Sequence, residues 1–258
     1  MEDLMKKGAA AVKTEDFAVA IDCYEKAAKL GNMEAWHLLA CIYTGYFCNT
    51  PKLRNKIRNR AKASEAWQKW YEYEIANGDM SAYWSLGVVF YERADYKKAI
   101  EFFEKGASKD NENRARSEEY LGNMYIAGEG VKRDVSRALK WYAKAAEHGN
   151  TDAMRRIGEL YDGGQLVGQD ISKGIQWYQK AALSGDVISM LSLAMMYERG
   201  RNVDKDLNKA REWYQKAVNA GSEEAAKQLK KMDAAAETET FPKKILKETP
   251  NKSPNMIK

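Results

Sequence analysis

The sequence predicts an all-α chain, a solenoid of six antiparallel helical hairpins closed by a C-terminal capping helix. Three observations carry that prediction. A stretch reading LGNMYIAGEGVKRD and then KWYAKAAEHG begins at Leu121, returns at Ile157 and returns again, more loosely, at Leu193. Its landmarks keep one interval: from Gly122 to Gly158, and from Trp141 to Trp177, is 36 residues. A fixed period of this length means supersecondary units that bury their apolar faces only by stacking on one another. Finally, of the prolines Pro51, Pro242, Pro250 and Pro254, only Pro51 falls within the repeats, as a helical array requires.

The first hairpin (1–31) places Gly8, Phe17, Ala20, Tyr24, Lys26 and Ala27 at helical spacing around a tight turn. The second (34–78) opens with Ala40, Tyr43 and Gly45 and closes with Trp70, Tyr71 and Gly78. Inside it, Thr50 as N-cap and Pro51 at the first helical position start a helix. Leu53, Ile57 and Ala61 continue its apolar stripe, and no later cap is seen, so one long helix is expected from about Pro51 to Ala76. The third hairpin (81–112) carries Gly87, Phe90, Asp95, Ala99, Phe103, Lys105 and Ala107. Its inter-helix loop is shorter than the later ones: Gly87 to Phe103 is 16 residues, while Gly122 to Tyr142 is 20.

The fourth, fifth and sixth hairpins (117–149, 153–185, 189–221) repeat one set of roles. A small residue, Gly122, Gly158 or Ala194, lets the second helix approach the first closely. Gly128, Gly164 and Gly200 then end the first helix, where positive φ carries no Cβ strain. Asp134, Asp170 and Asp206 start the second helix by accepting from its unpaired N–H groups. In the fourth hairpin Ala138, Trp141, Tyr142, Ala145 and Ala146 fall on one face, and Gly149 ends the run. The stripe Ala225, Ala226, Leu229 and Met232 makes a capping helix (223–232), with Lys230 at the close-approach position so that no further helix packs there. Residues 233–258 lack periodicity and read as a disordered basic tail.

Together, GEGVKRD at Gly128–Asp134 and KWYAKAAEHG at Lys140–Gly149 resemble Sel1-like repeats. The short hairpins resemble tetratricopeptide repeats, through AIDCYEKAAKLG at Ala20–Gly31 and YKKAIEFFEKGA at Tyr96–Ala107. The likeness implies a right-handed superhelix of antiparallel helices that holds protein partners. The chain departs from the pattern at Leu166 and Asn202, which stand where the fourth hairpin has Gly130, and at Cys23, which replaces the Trp of the second helix.

Composition limits the function classes. The net charge is +5, and Lys243, Lys244, Lys247, Lys252 and Lys258 against Glu248 put +4 of it in the last residues. A near-neutral repeat body makes nucleic acid an unfavoured partner. No run of ~18 apolar residues is present to span a membrane, and Met1-Glu2-Asp3 carries acids where a signal peptide carries bases. Cys23, Cys41 and Cys48 form no CxxC, and cysteine pairs do not recur with the repeat, which fits a reducing cytoplasm. His37 and His148 stand in no metal-ligand or nucleophile pattern, so neither a metal, a cofactor nor catalysis is expected. Glu118 and Glu119 read as ordinary surface charge.

Two surfaces remain as candidates. The first helices are expected to line a concave groove, and the positions flanking the small residue project into it: His37 and Cys41, Trp84 and Val88, Glu119 and Asn123, Arg155 and Glu159, Leu191 and Met195. These suit an extended or helical protein segment, with Trp84 as anchor and Asn123 and Arg155 as polar grips; the plainer reading packs some of them, Trp84 and Leu191 first, against neighbouring helices. The second surface is a basic strip of Lys52, Arg54, Lys56, Arg58, Arg60 and Lys62. It reads either as a solvated face or as a docking surface for an acidic protein segment. The chain is therefore expected to be a non-enzymatic adaptor or scaffold; a structural component that self-associates through its ends or tail is the alternative, and the oligomeric state is open.

Overall fold

A computed structural model describes residues 1–164 and 167–245, with side chains through 235; Leu166, and the part of the expected tail from 246 on, lie outside the described residues. The described residues are helical or irregular, without strands. They form two compact units, 1–150 and the remainder from Thr151.

The first unit contains α1 (Glu2–Lys13), α2 (Phe17–Lys29), α3 (Met33–Thr44), α4 (Pro51–Ile57), α5 (Arg60–Ala76), α6 (Ala82–Glu92), α7 (Tyr96–Ala107), α8 (Arg114–Ala127) and α9 (Val135–Glu147). The second contains α10 (Thr151–Gly163), α11 (Ile171–Leu183), α12 (Val187–Arg199), α13 (Leu207–Asn219) and α14 (Glu223–Ile245). Within each unit the helices pair as hairpins and each hairpin stacks on the next, the arrangement that defines an α-solenoid.

The small residues act as the repeat predicts. A Cβ built on Gly122 would stand 2.5 Å from Tyr142 Cε1, and on Gly87 2.6 Å from Phe103 Cδ1. Gly8 and Gly158 meet Tyr24 and Tyr178 in the same way, so in these four hairpins an aromatic ring of the second helix lies against the first where a Cβ would clash, while the second and sixth hairpins have Ala40 and Ala194 at that position. Asp134 Oδ1 accepts from Arg137 N at 2.9 Å, Asp170 Oδ1 from Lys173 N at 3.0 Å and Asp206 Oδ1 from Lys209 N at 3.0 Å. Apolar side chains gather between the helices: around Tyr24, Leu39 and Ile42, around Leu86, Phe103, Leu121 and Met124, and in the second unit around Leu193, Tyr214 and Ala225.

Two expectations need correction. The long helix from Pro51 to Ala76 is two helices. Thr50 caps the first through its hydroxyl, 3.3 Å from Leu53 N, but Arg58 leaves the helical region at φ −57°, ψ 118°. Asn59 is extended, its N–H donates to Tyr43 O at 3.0 Å, and its side chain caps α5 by accepting from Lys62 N at 3.0 Å. An asparagine offering a cap, combined with a free carbonyl at the end of α3, outweighs the continuous apolar stripe, and Ala61 is exposed. The second correction is at the C-terminus, where α14 runs on through Ile245 instead of ending at Met232. The Ala234, Ala235 and Ala236 run has the highest helix propensity available, so the irregular tail does not begin at Asp233.

Candidate functional site

In the first unit, α3, α6 and α8 carry the lining positions. His37 lies against Trp67 and Trp70, ring centroids 5.4 and 5.2 Å apart, and Cys41 is buried beside it with Sγ 3.8 Å from His37 Nε2. Burial raises the Cys41 thiol pKa, which makes it inert packing. This pair is covered by the indoles of α5.

Trp84 is half-buried. Its ring meets Tyr120 edge-on at 6.3 Å and carries the Arg116 guanidinium 5.1 Å above it, while its Nε1 has no hydrogen-bond partner among the described residues. Val88, on the next turn, packs partly into the same core. Glu119 and Asn123 are tied internally: Tyr142 donates its hydroxyl to Asn123 Oδ1 at 2.7 Å, Asn123 Nδ2 to Glu119 Oε1 at 3.1 Å, and Asn150 Nδ2 to Glu119 Oε2 at 3.3 Å. The amide expected to grip a partner thus braces α8 against α9.

Glu118 is the side chain that sequence reasoning misplaced. It is 1 % exposed, with Oε2 2.7 Å from His148 Nδ1 and Oε1 3.4 Å from Arg114 Nε. A lone acid next to Glu119 gives no sequence sign of burial; the matching positions one and two repeats later are Met154 and Met190, and only that comparison marks it as a core site.

In the second unit, Arg155 is 9 % exposed and is held by Asp152, by Glu159 at 2.8 Å and by Asp186 at 3.5 Å. Burial works against its charge, yet its hydrogen bonds to the carboxylates of Asp152 and Glu159 prevail and its pKa is raised. Arg155 therefore fastens α10 to the N-cap of α12, with Glu159 holding its fork, and its expected role as a free grip is not what the geometry offers. Leu191 packs partly into the core, while Met195 is 38 % exposed and Ile188, two turns earlier, 53 %.

The basic strip is not one face. Lys52, Arg54 and Lys56 belong to α4, Arg58 to the break, and Arg60 and Lys62 to the first turn of α5. Lys62 Nζ is engaged with Glu25 at 3.1 Å and Tyr43 Oη at 3.2 Å, and Arg54 rests on the Gly45 turn and donates to Cys48 O at 3.4 Å. Lys52, Lys56, Arg58 and Arg60 stay exposed. Among the described residues no group of three or more His, Cys, Asp or Glu could hold a metal ion, and no helix is long and apolar enough to cross a membrane.

Stacked helical hairpins whose polar lining side chains pair with one another are the architecture of a helical repeat protein. The Sel1 repeat family model matches residues 5–32, 81–111, 115–150, 151–186 and 187–222, and the chain belongs to that family. The match takes in both short hairpins, and it leaves out 33–80. Among solved structures, the chain is similar to a Sel1 repeat protein from Oxalobacter formigenes, at 26% identity and TM-score 0.58 over 87% of this chain and 88% of that one. It is also similar to c5321, a protective antigen of uropathogenic Escherichia coli with this fold, at 29% identity and TM-score 0.57 over 80% of this chain and 42% of that one. The chain thus spans less than half the length of the antigen. A search of curated proteins gave no match. The right-handed sense expected of the solenoid fits the family, whose members are generally scaffolds for protein interactions.

Proposed function

We propose that this chain is a non-enzymatic cytoplasmic adaptor that holds a protein segment against the concave, first-helix side of its hairpins. The observation that carries the reading is the division of labour along the lining. Polar members pair among themselves, and the surfaces left for a partner are apolar: the Trp84 face with Val88 in the first unit, and Leu191 with Met195 in the second. Trp and Met are side chains that supply large, adaptable contact area at low cost in specific hydrogen bonds. Arg116, poised over the Trp84 ring, adds a cation beside that contact.

The test is a titration of a partner recovered by affinity capture. Trp84→Ala and Met195→Ala should each weaken it by about 1 to 3 kcal/mol while circular dichroism stays native. Equal affinity for a well-folded double variant contradicts the reading. Sedimentation across a concentration series separates it from self-assembly, which would make the molecular mass rise with concentration in the absence of any partner.

A further inference from the structure

A cleft of about 1000 Å³ in the first unit uses none of the lining residues named above for the first helices. It opens at the start of α5, beside the ends of α3 and α6, with Ala61, Trp67 and Val89 among its walls and Arg58, Arg60 and Arg93 among its polar lining. It lies largely in the hairpin that the family repeats leave unmatched.

Its origin is a missing loop. After α8, the chain from Gly128 to Asp134 folds back over the start of α7: a Cβ on Gly130 would stand 2.7 Å from Tyr96 Cβ, and Val131 packs into the core with Phe90 and Ile100. After α12, Val203 likewise joins the core that Ile171 and Ile175 of α11 border. Between α6 and α7 only Arg93, Ala94 and Asp95 intervene, too few to reach back over α5. The second unit repeats the rule: α14, which packs on α13, runs on as helix through Ile245 instead of turning back in such a loop, and a cleft of about 620 Å³ opens beside Leu207 and Met232.

The charge at the first cleft is arranged for an anion. Arg93 is fixed by donating from Nε to Ser64 Oγ at 2.6 Å and from Nη1 to Gln68 Oε1 at 2.7 Å; its remaining N–H groups have no partner among the described residues. Arg58 and Arg60 are exposed, and neither has an ion-pair partner among the described residues. Glu65 and Glu92 share the lining, so three cations face two carboxylates, and Lys56 adds a further positive charge on the adjoining α4.

We propose that this cleft binds an extended acidic protein segment that takes the place of the missing loop. An apolar side chain enters over α5 as Val131 does over α7, and flanking carboxylates engage the forks of Arg58, Arg60 and Arg93. The proposal rests on the protein-binding reading but uses none of its contact residues.

The test is fluorescence anisotropy of the full chain with a short fluorescein-labelled peptide of alternating Glu and Val. Saturable binding that weakens with salt is expected, and a Lys–Val peptide should not bind. Arg58→Gln with Arg60→Gln should weaken binding about 10-fold and flatten its salt dependence. Ala61→Trp, which fills the cleft without altering charge, should weaken it at least as much, and Trp84→Ala should leave it unchanged. The proposal is overturned if the Glu–Val peptide does not saturate, if the folded Ala61→Trp protein binds it as the parent does, or if oligothymidylate of equal charge binds more tightly than the peptide. None of these outcomes touches the first-helix reading, which stands or falls on Trp84 and Met195.

Discussion

At the residue scale, the close approach of four of the helical pairs rests on single glycines. A methyl added at Gly122 meets the buried ring of Tyr142, which is backed by Asn123 and cannot swing away. Gly122→Ala should therefore cost about 1 to 3 kcal/mol by urea denaturation, and an unchanged midpoint would mean that the hairpin opens freely. Arg155 makes the opposite point about legibility. Its position on the lining was readable from the repeat, but its partners were not: Asp186 belongs to the next hairpin, 31 residues on. Arg155→Ala is expected to act on folding, with roughly 1 to 3 kcal/mol lost and the half-buried N-cap Asp186 left short of a partner. If stability is unaffected and partner binding falls, Arg155 is a contact residue after all. Glu118 was illegible for the same reason, since its burial depends on His148 closing over it from α9.

At the scale of elements, the repeat made most helices readable from end to end, because caps, small residues and aromatic faces recur at fixed offsets. Reading failed where a local competitor acted outside the period. Asn59 is one: no other hairpin carries its equivalent, and it breaks a stripe that Leu53 and Ile57 establish. Asn59→Ala should cost about 1 kcal/mol through loss of the α5 cap, measured by thermal unfolding against Asn55→Ala on the exposed face of α4. Equal melting temperatures would show that the break is held by the Tyr43 carbonyl alone. The C-terminal helix gives a second check. Ala225 and Met232 are buried against α13, and Arg211 pairs with Asp233 and donates to Met232 O. Ending the chain after Ala235 should leave the melting temperature unchanged. Ending it before Leu229 uncovers Trp213 and Tyr214 and should lower it by at least about 4 °C. A drop of that size from the milder truncation would place stabilising contacts beyond Ala235.

At the scale of the molecule, the sequence specified the class because repetition is visible without any knowledge of contacts. It did not specify the interaction surface, since exposure depends on which polar side chains find one another across helices, and the ties of Asn123 to Tyr142, of Glu119 to Asn150 and of Arg155 to Asp186 follow from geometry that spacing alone does not reveal. On the proposed first-helix lining, what remains for a partner is apolar. Second helices instead present tryptophans under a lysine of the same helix, Lys144 over Trp141 at 4.3 Å and Lys180 over Trp177 at 4.2 Å. The most direct measurement is site-specific photocrosslinking, with a benzophenone side chain placed in turn at Trp84, Met195, Lys144 and Lys180 in cells that make the full chain. The same protein adduct from positions 84 and 195, and none from 144 and 180, is the predicted result; an adduct from the lysine positions alone would contradict a scaffold that works through its first-helix side.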